Sequence, residues 1–231
     1  MTTRVTAQMS VSLDGHYAGP RFDGNGDWLD SAEAAGFFRV TRWVIDAASW
    51  RERQGFAGGV GDTNSEIVGE TFDKSGAYVM GRRMFEGGVR PWGDEPPFRA
   101  PVFVVTSRPR PPLHRSGGTT FTFVTDGVAS AVEQARAVAG PKNVAVAGGG
   151  TLIRQVLAAG LLDELELHFV PVVLGDGMRL LGEGLDLAAK EAVELAVDRV
   201  VPTPQVTHLR YTVSGRAPLV LDDRGSGAPL R

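Results

Sequence analysis

Residues 143–160 read N-V-A-V-A-G-G-G-T-L-I-R-Q-V-L-A-A-G, and the rest of the chain is organised around them. Residues 144–147 form a continuous run of small apolar side chains, the pattern of a strand buried on both faces. Gly148, Gly149 and Gly150 follow. Leu152, Ile153, Val156 and Leu157 then recur at helical spacing, and Gly160 stands where a helix ends on a left-handed residue. Strand, glycine turn and helix together present free backbone N–H groups to an anion. With no Cβ in the way a pyrophosphate can approach the turn closely, and the helix dipole favours its charge. The plainer reading is a tight turn that holds nothing, since the run is not the G-x-G-x-x-G of the usual dinucleotide fingerprint.

The chain has 231 residues, 42% of them hydrophobic, which suits one well-cored domain. We expect that domain over residues 1–213 and a poorly ordered tail over 214–231, where R-G-S-G-A-P-L-R occurs. A net charge of −3 with no basic run longer than two residues argues against nucleic acid and anionic membrane as partners. Cysteine is absent, so disulfides, thiolate metal sites and a cysteine nucleophile are excluded, and no metal is expected. The N-terminus lacks a signal-peptide core and no apolar run approaches a membrane span, so the expectation is a soluble, cytoplasmic protein.

In chain order, residues 4–12 alternate Val and Thr with polar residues as a strand and break at Asp14-Gly15. A Gly-, Asp- and Asn-rich loop runs to Trp28. Residues 31–56 carry Phe37, Phe38, Trp43, Trp50 and Phe56 without a clean period and are read mostly as helix. Thr63 and Glu66 form a T-x-x-E capping box before a helix to Ser75. Residues 77–80, 101–106 and 119–124 are strands. Val128, Val132, Ala135 and Ala139 mark an amphipathic helix. A long strand over 161–174 and a hairpin over 191–213 complete the chain. Interleaved strands and helices predict an α/β fold with a doubly wound, mostly parallel sheet and antiparallel C-terminal edge strands.

Three buried strands end in groups suited to phosphate: Gly81-Arg82-Arg83, Thr106-Ser107-Arg108 and Gly148-Gly149-Gly150-Thr151. In an open parallel sheet, ligands bind outside the carboxyl ends of the strands. Arg82 and Arg108 are placed to clamp the 2′-phosphate of NADPH, although a solvated ion pair is the plainer reading of Arg82 alone.

S-L-D-G at 12–15, V-M-G-R at 79–82, F-V-V-T-S-R at 103–108, V-A-G-G-G-T at 146–151 and L-L-D-E-L-E-L-H-F-V-P-V-V-L-G-D-G at 161–177 occur in this order. Over about residues 4–213 the chain resembles the dihydrofolate-reductase-like superfamily. Within it the nearest branch is the reductase domain of the bifunctional deaminase-reductase of riboflavin biosynthesis, with its stand-alone bacterial relatives. The resemblance implies NADPH as hydride donor and a dimeric, cytoplasmic enzyme. Neither H-x-E nor C-x-x-C of the deaminase half occurs. By the resemblance, Gly81, Arg82 and Arg83 lie at the adenosine-side phosphates. Thr106, Ser107 and Arg108 lie at the 2′-phosphate and ribose. Gly149, Gly150, Thr151 and Leu152 lie at the pyrophosphate, and the backbone of Ser10 meets the nicotinamide carboxamide. The loop from Asp14 to Trp28 corresponds to the one that closes over nicotinamide.

The substrate side departs from the folate enzymes. Their first-helix carboxylate has no clean counterpart here, and Asp30, Asp46, Glu66 and Glu70 all remain candidates. His168 stands mid-strand where those enzymes carry a small hydroxyl residue. Asp14 and His168 are the candidate catalytic groups, each with a structural role as the plainer reading. Tyr17, Trp28, Trp43 and Trp50 are the candidate walls of a pocket for a flat heterocycle, against a core aromatic cluster as the plainer reading. The leading function is an NADPH-dependent reductase of a small heterocyclic, imine or carbonyl substrate. The alternative is a nucleotide-binding protein without turnover.

Overall fold

The computed structural model describes residues 3–20, 34–182, 185 and 191–218. Trp28, Asp30 and the tail beyond 218 lie outside them. Strand β1 (Val5–Ser12) alternates strictly, so Val5, Ala7 and Val11 enter a core on one face while Gln8, Ser10 and Ser12 take the other. It runs parallel to β7 (Asn143–Gly148) on one side and to β8 (Glu164–Val170) on the other. Parallel pairing continues from β7 through β3 (Ser75–Gly81) and β4 (Pro101–Val105) to β6 (Thr120–Val124). The antiparallel hairpin of β10 (Glu191–Pro202) and β11 (Thr207–Pro218) adds to β8, and β5 (Leu113–His114) closes the far edge. The nine-stranded order is β10-β11-β8-β1-β7-β3-β4-β6-β5, which bears out the expected mostly parallel sheet with antiparallel C-terminal edge strands.

Helices α5 (Val128–Val138) and α6 (Gly150–Ala158) cover one face, over Ala77, Val79, Val144, Val146 and Leu165. Ile153 is fully buried there, and truncating it to Ala costs about 2–5 kcal/mol by the usual cavity rule. The other face is covered by α1 (Ala35–Ile45), α2 (Ala48–Arg53), α3 (Thr63–Lys74) and α4 (Arg82–Gly88). Two clusters fill it, Met80, Phe85, Val104 and Phe121 near α4, and Trp43, Val68 and Val206 near α1.

Several boundaries differ from the sequence reading. The α3 cap is Asp62, not Thr63: its carboxylate accepts from the Ser65 N–H at 3.1 Å, and Thr63 is already helical. Helix α3 passes into β3 at Ser75 with no loop. The long strand is only 164–170, because Pro171 cannot extend the ladder. Strand β11 reaches Pro218, inside the expected tail, because β10 pairs with it as far as Glu191↔Pro218. Two short strands, β2 (His16–Ala18) and β9 (Met178–Arg179), pair antiparallel and tie the turn after β1 to the segment after β8. No described helix is long and apolar enough to cross a membrane.

Candidate active site

Strands β7 and β3 are neighbours, yet the helix after β3 leads away toward β4 while the helix after β7 leads back across β1 to β8. That is a topological switch point, with an open crevice at the carboxyl ends. Met80 pairs with Gly148 at its floor. Gly148 has φ +113°, a region closed to ordinary side chains, and the Gly148–Gly149 peptide is cis. Gly149 caps α6 with φ −77°, and a Cβ built on it meets nothing within 4 Å. Among the described residues the α6 N-terminus therefore opens onto free space at Gly149, as an anion cradle requires. The next glycine differs: a Cβ on Gly150 would sit 2.5 Å from a ring carbon of Tyr17.

The cations around this crevice are not equivalent. Arg82 Nη1 donates to Glu86 Oε2 at 2.6 Å, one helical turn on, so its charge is already matched. Arg83 is exposed and makes no side-chain hydrogen bond or ion pair with another described residue, and the same holds for Arg108. Thr106 is buried and its Oγ1 accepts from the Arg108 N–H at 3.0 Å, shaping the turn after β4. Ser107 is exposed. Arg110 lies over the rings of Phe85 and Phe123, at 5.3 and 4.8 Å. Arg154 donates to the Arg179 and Leu180 carbonyls and to Thr151 Oγ1, so Thr151 is engaged from within the chain. Leu152 is core.

Residues 3–209 match the family described as the RibD C-terminal domain. The chain belongs to that family. A putative riboflavin biosynthesis protein from Shewanella sp. PV-4 superposes on it with a TM-score of 0.60 at 21% identity, covering 91% of this chain and 98% of that one. A diaminohydroxyphosphoribosylaminopyrimidine deaminase/5-amino-6-(5-phosphoribosylamino)uracil reductase from Thermotoga maritima gives 0.56 at 12% identity, covering 92% of this chain. RibD from Acinetobacter baumannii gives 0.53 at 16% identity, covering 93%. The chain spans 57% and 59% of those two longer chains. At these identities the likeness shows the fold. No curated protein matches.

Within this RibD C-terminal domain, Asp14 is a structural hub. Its Oδ1 accepts from Ser12 Oγ at 2.6 Å and from the Leu174 N–H at 3.1 Å. Its Oδ2 accepts from the Gly175 N–H at 2.8 Å and lies 3.1 Å from His16 Nδ1. The Ser12 hydroxyl and these backbone N–H groups hold the carboxyl well below the usual range, so it stays ionised and is no proton donor. Tyr17 is buried against the glycine turn. Its ring packs on Gly150 and its hydroxyl lies 3.7 Å from Met178 Sδ. Burial raises its pKa, against Arg154 and Arg83.

The face of β1, β8 and β11 under α1 and α3 is polar and buried. Ser10 pairs with His168, and His168 with His208, across three strands. His168 Nδ1 lies 2.8 Å from His208 Nδ1. His168 Nε2 meets the Gln8 side-chain amide at 3.2 Å, and His208 Nε2 meets Asn64 Oδ1 at 3.0 Å. Amide oxygen and nitrogen exchange by a half-turn, and the network decides between them. The Thr71 hydroxyl donates its one proton to the Ile67 carbonyl at 3.1 Å, so it accepts from Gln8, whose NH2 then faces both Thr71 and His168. His168 Nδ1–H donates to His208, and His208 Nε2–H donates to Asn64. The Asn64 NH2 donates to Asp62 Oδ2 and Gln205 Oε1, each at 3.2 Å. All four ring nitrogens are satisfied with both imidazoles neutral. Burial drives both histidines down, His168 well below its usual value and His208 to about 4.

This corrects the expectation that His168 is catalytic. His168 is 2% exposed and sealed in that chain, not open to a substrate. Trp43 is 7% exposed, edge-on to both imidazoles, with its N–H donating to Ser10 Oγ at 3.0 Å. Trp50 stacks on Phe72 as part of the packing of α2 on α3. Among the carboxylates proposed for the folate position, Asp46 pairs with Arg42, and Glu70 pairs with Lys74, Arg199 and Arg210.

Proposed function

We propose that this chain is an NADPH-dependent reductase of a small heterocyclic, imine or carbonyl substrate, working as a homodimer in the cytoplasm. The observation that carries the reading is an open glycine turn at Gly149 together with two guanidinium groups, Arg83 and Arg108, that pair with no described residue, at the neighbouring strand ends. The fit is chemical: a helix N-terminus open at Gly149 suits a pyrophosphate, and two guanidinium forks that no described residue engages suit an additional phosphate. Arg83 replaces Arg82 as the leading clamp, since Arg82 is committed to Glu86. The bound nicotinamide supplies hydride. Tyr17 walls the turn, and the Ser10 hydroxyl accepts from the Trp43 indole N–H. Asp14 is held ionised and the imidazole pair neutral and sealed, so neither leads as donor, and the proton that follows comes from water admitted to the crevice or from Asp30, outside the described residues. The names of the relatives, a riboflavin biosynthesis protein and a phosphoribosylaminouracil reductase, make aminopyrimidines the first substrates to try. Exposed Val197 and Val200 on the edge strand β10 support a second copy as partner.

Binding without turnover is the second reading, favoured by the same engagement of Asp14, His168 and His208. Mixing the protein with NADPH and aminopyrimidine, pterin or imine acceptors and following absorbance at about 340 nm separates the two. Acceptor-dependent loss supports the reductase; saturable NADPH binding with no loss for any acceptor supports the binder.

A further inference from the structure

Behind Trp43 the fold holds a recess of about 370 Å³, within the size range of small-ligand sites. We propose that it binds a small planar carboxylate, an aromatic acid. Trp43, Val60, Val170 and Val172 form its apolar part, and Val60 is 52% exposed although it lines a concave surface. The orientation of Trp43 is set on two sides, by its N–H bond to Ser10 and by edge contacts with His168 and His208. A flat apolar body therefore meets a fixed ring rather than a mobile one.

The polar part offers donors. Asp62 lines the recess, but its Oδ1 accepts from Ser65 N and its Oδ2 from Asn64 Nδ2. Asp46 is held by Arg42 Nε at 3.2 Å. Asn64, 3% exposed, is saturated by His208, Asp62 and Gln205, so the directed chain through the imidazole pair ends by fixing this wall. Gln205 gives its oxygen to Asn64 and keeps its NH2 for another partner. Arg39 lines the recess and makes no hydrogen bond or ion pair with another described residue. Among the described residues this leaves one guanidinium fork and one amide NH2 lining the same recess without a partner, donors suited to the two oxygens of a carboxylate. A phosphate dianion would bring a second negative charge beside Asp46 and Asp62. None of Gly81, Arg83, Thr106 or the three glycines at 148–150 lines the recess, so the proposal stands without the reductase reading.

The test is calorimetric titration of the full chain, without dinucleotide, by benzoate and by indole-3-carboxylate, with benzamide and indole-3-carboxamide as uncharged matches. We expect one-site saturable binding of at least one acid, and amides weaker by about 10-fold or more. Arg39→Ala should weaken the acid by about 10-fold and Gln205→Ala by several-fold, while a remote cation change, Lys142→Ala, leaves it unaltered. Arg39 is exposed and engages no described residue, so Arg39→Ala folds and decides the result. Thermal unfolding checks Gln205→Ala, which also loses the bond to Asn64, and unchanged NADPH binding by Arg39→Ala keeps the result separate from the cofactor crevice. The proposal is overturned if neither acid saturates by about 10 mM, if acid and amide bind alike, or if Arg39→Ala binds as wild type does.

Discussion

Mild acid should unlock the imidazole pair and take a measurable part of the folding free energy with it. His208 is 1% exposed and held at about 4 by burial, with Arg199 adding to the effect and Asp62 opposing it. In the unfolded chain the same ring takes its proton near 6.5. The folded state binds fewer protons between those values, so this contribution is complete above about pH 6.5 and is lost as pH falls toward about 4. Holding one imidazole down over that interval corresponds to roughly 3 kcal/mol, and His168, depressed further, extends the loss. A domain stable by about 5–15 kcal/mol feels such a change. Glu166, raised by burial against the pull of Arg210, works in the opposite sense near the carboxylate range. Glu70, held at about 2 by Lys74, Arg199 and Arg210 against its own desolvation, adds a loss only at lower pH. Urea unfolding followed by tryptophan fluorescence at about pH 7 and about pH 5 should show a fall on the order of 2 kcal/mol in the wild type. The double variant His168→Gln/His208→Gln, whatever its absolute stability, should show less than half that fall. Equal stability at the two pH values, or the same slope in the double variant, refutes the neutral pair.

The glycine turn should separate folding from binding. Gly150→Ala drives a methyl into the buried Tyr17 ring and should cost about 1–3 kcal/mol in thermal or urea unfolding. Gly149→Ala has open space at a permitted φ and should alter stability by only about 0.5 kcal/mol, yet weaken dinucleotide binding in a fluorescence titration. Asp62→Ala removes the α3 cap and an acceptor for Asn64, and should cost about 1–2 kcal/mol by the same unfolding assay. Arg82→Ala should change NADPH affinity less than Arg83→Ala does, because Glu86 already occupies Arg82.

How far the sequence could be read follows from the range of each interaction. The central strand, glycine turn and helix are local in sequence, and β7, α6 and the left-handed Gly160 stand where the pattern puts them. Strands β2 and β9 have three and two residues, too few for a period to register, and exist because each pairs with the other. The Arg82–Glu86 pair was within reach, since Glu86 lies four residues on in a helical segment. The alternation of β8 was visible, but a polar face reads as solvated. Only the packing of α1 and α3 over it shows that Glu166, His168 and His208 are buried. Gln8, Asn64 and His208 come from distant segments, and no local signal joins them to His168.

The central claim is that the crevice at β3, β4 and β7 holds a phosphorylated nicotinamide dinucleotide through Arg83 and Arg108. Parallel titrations of NADPH and NADH against the wild type and the variants Arg83→Ala and Arg108→Ala test it most directly. NADPH should bind more tightly than NADH by about 10-fold or more, with each variant weakening NADPH by about 10- to 100-fold and NADH far less. Equal affinity for the two dinucleotides, or NADPH affinity untouched by both substitutions, contradicts it.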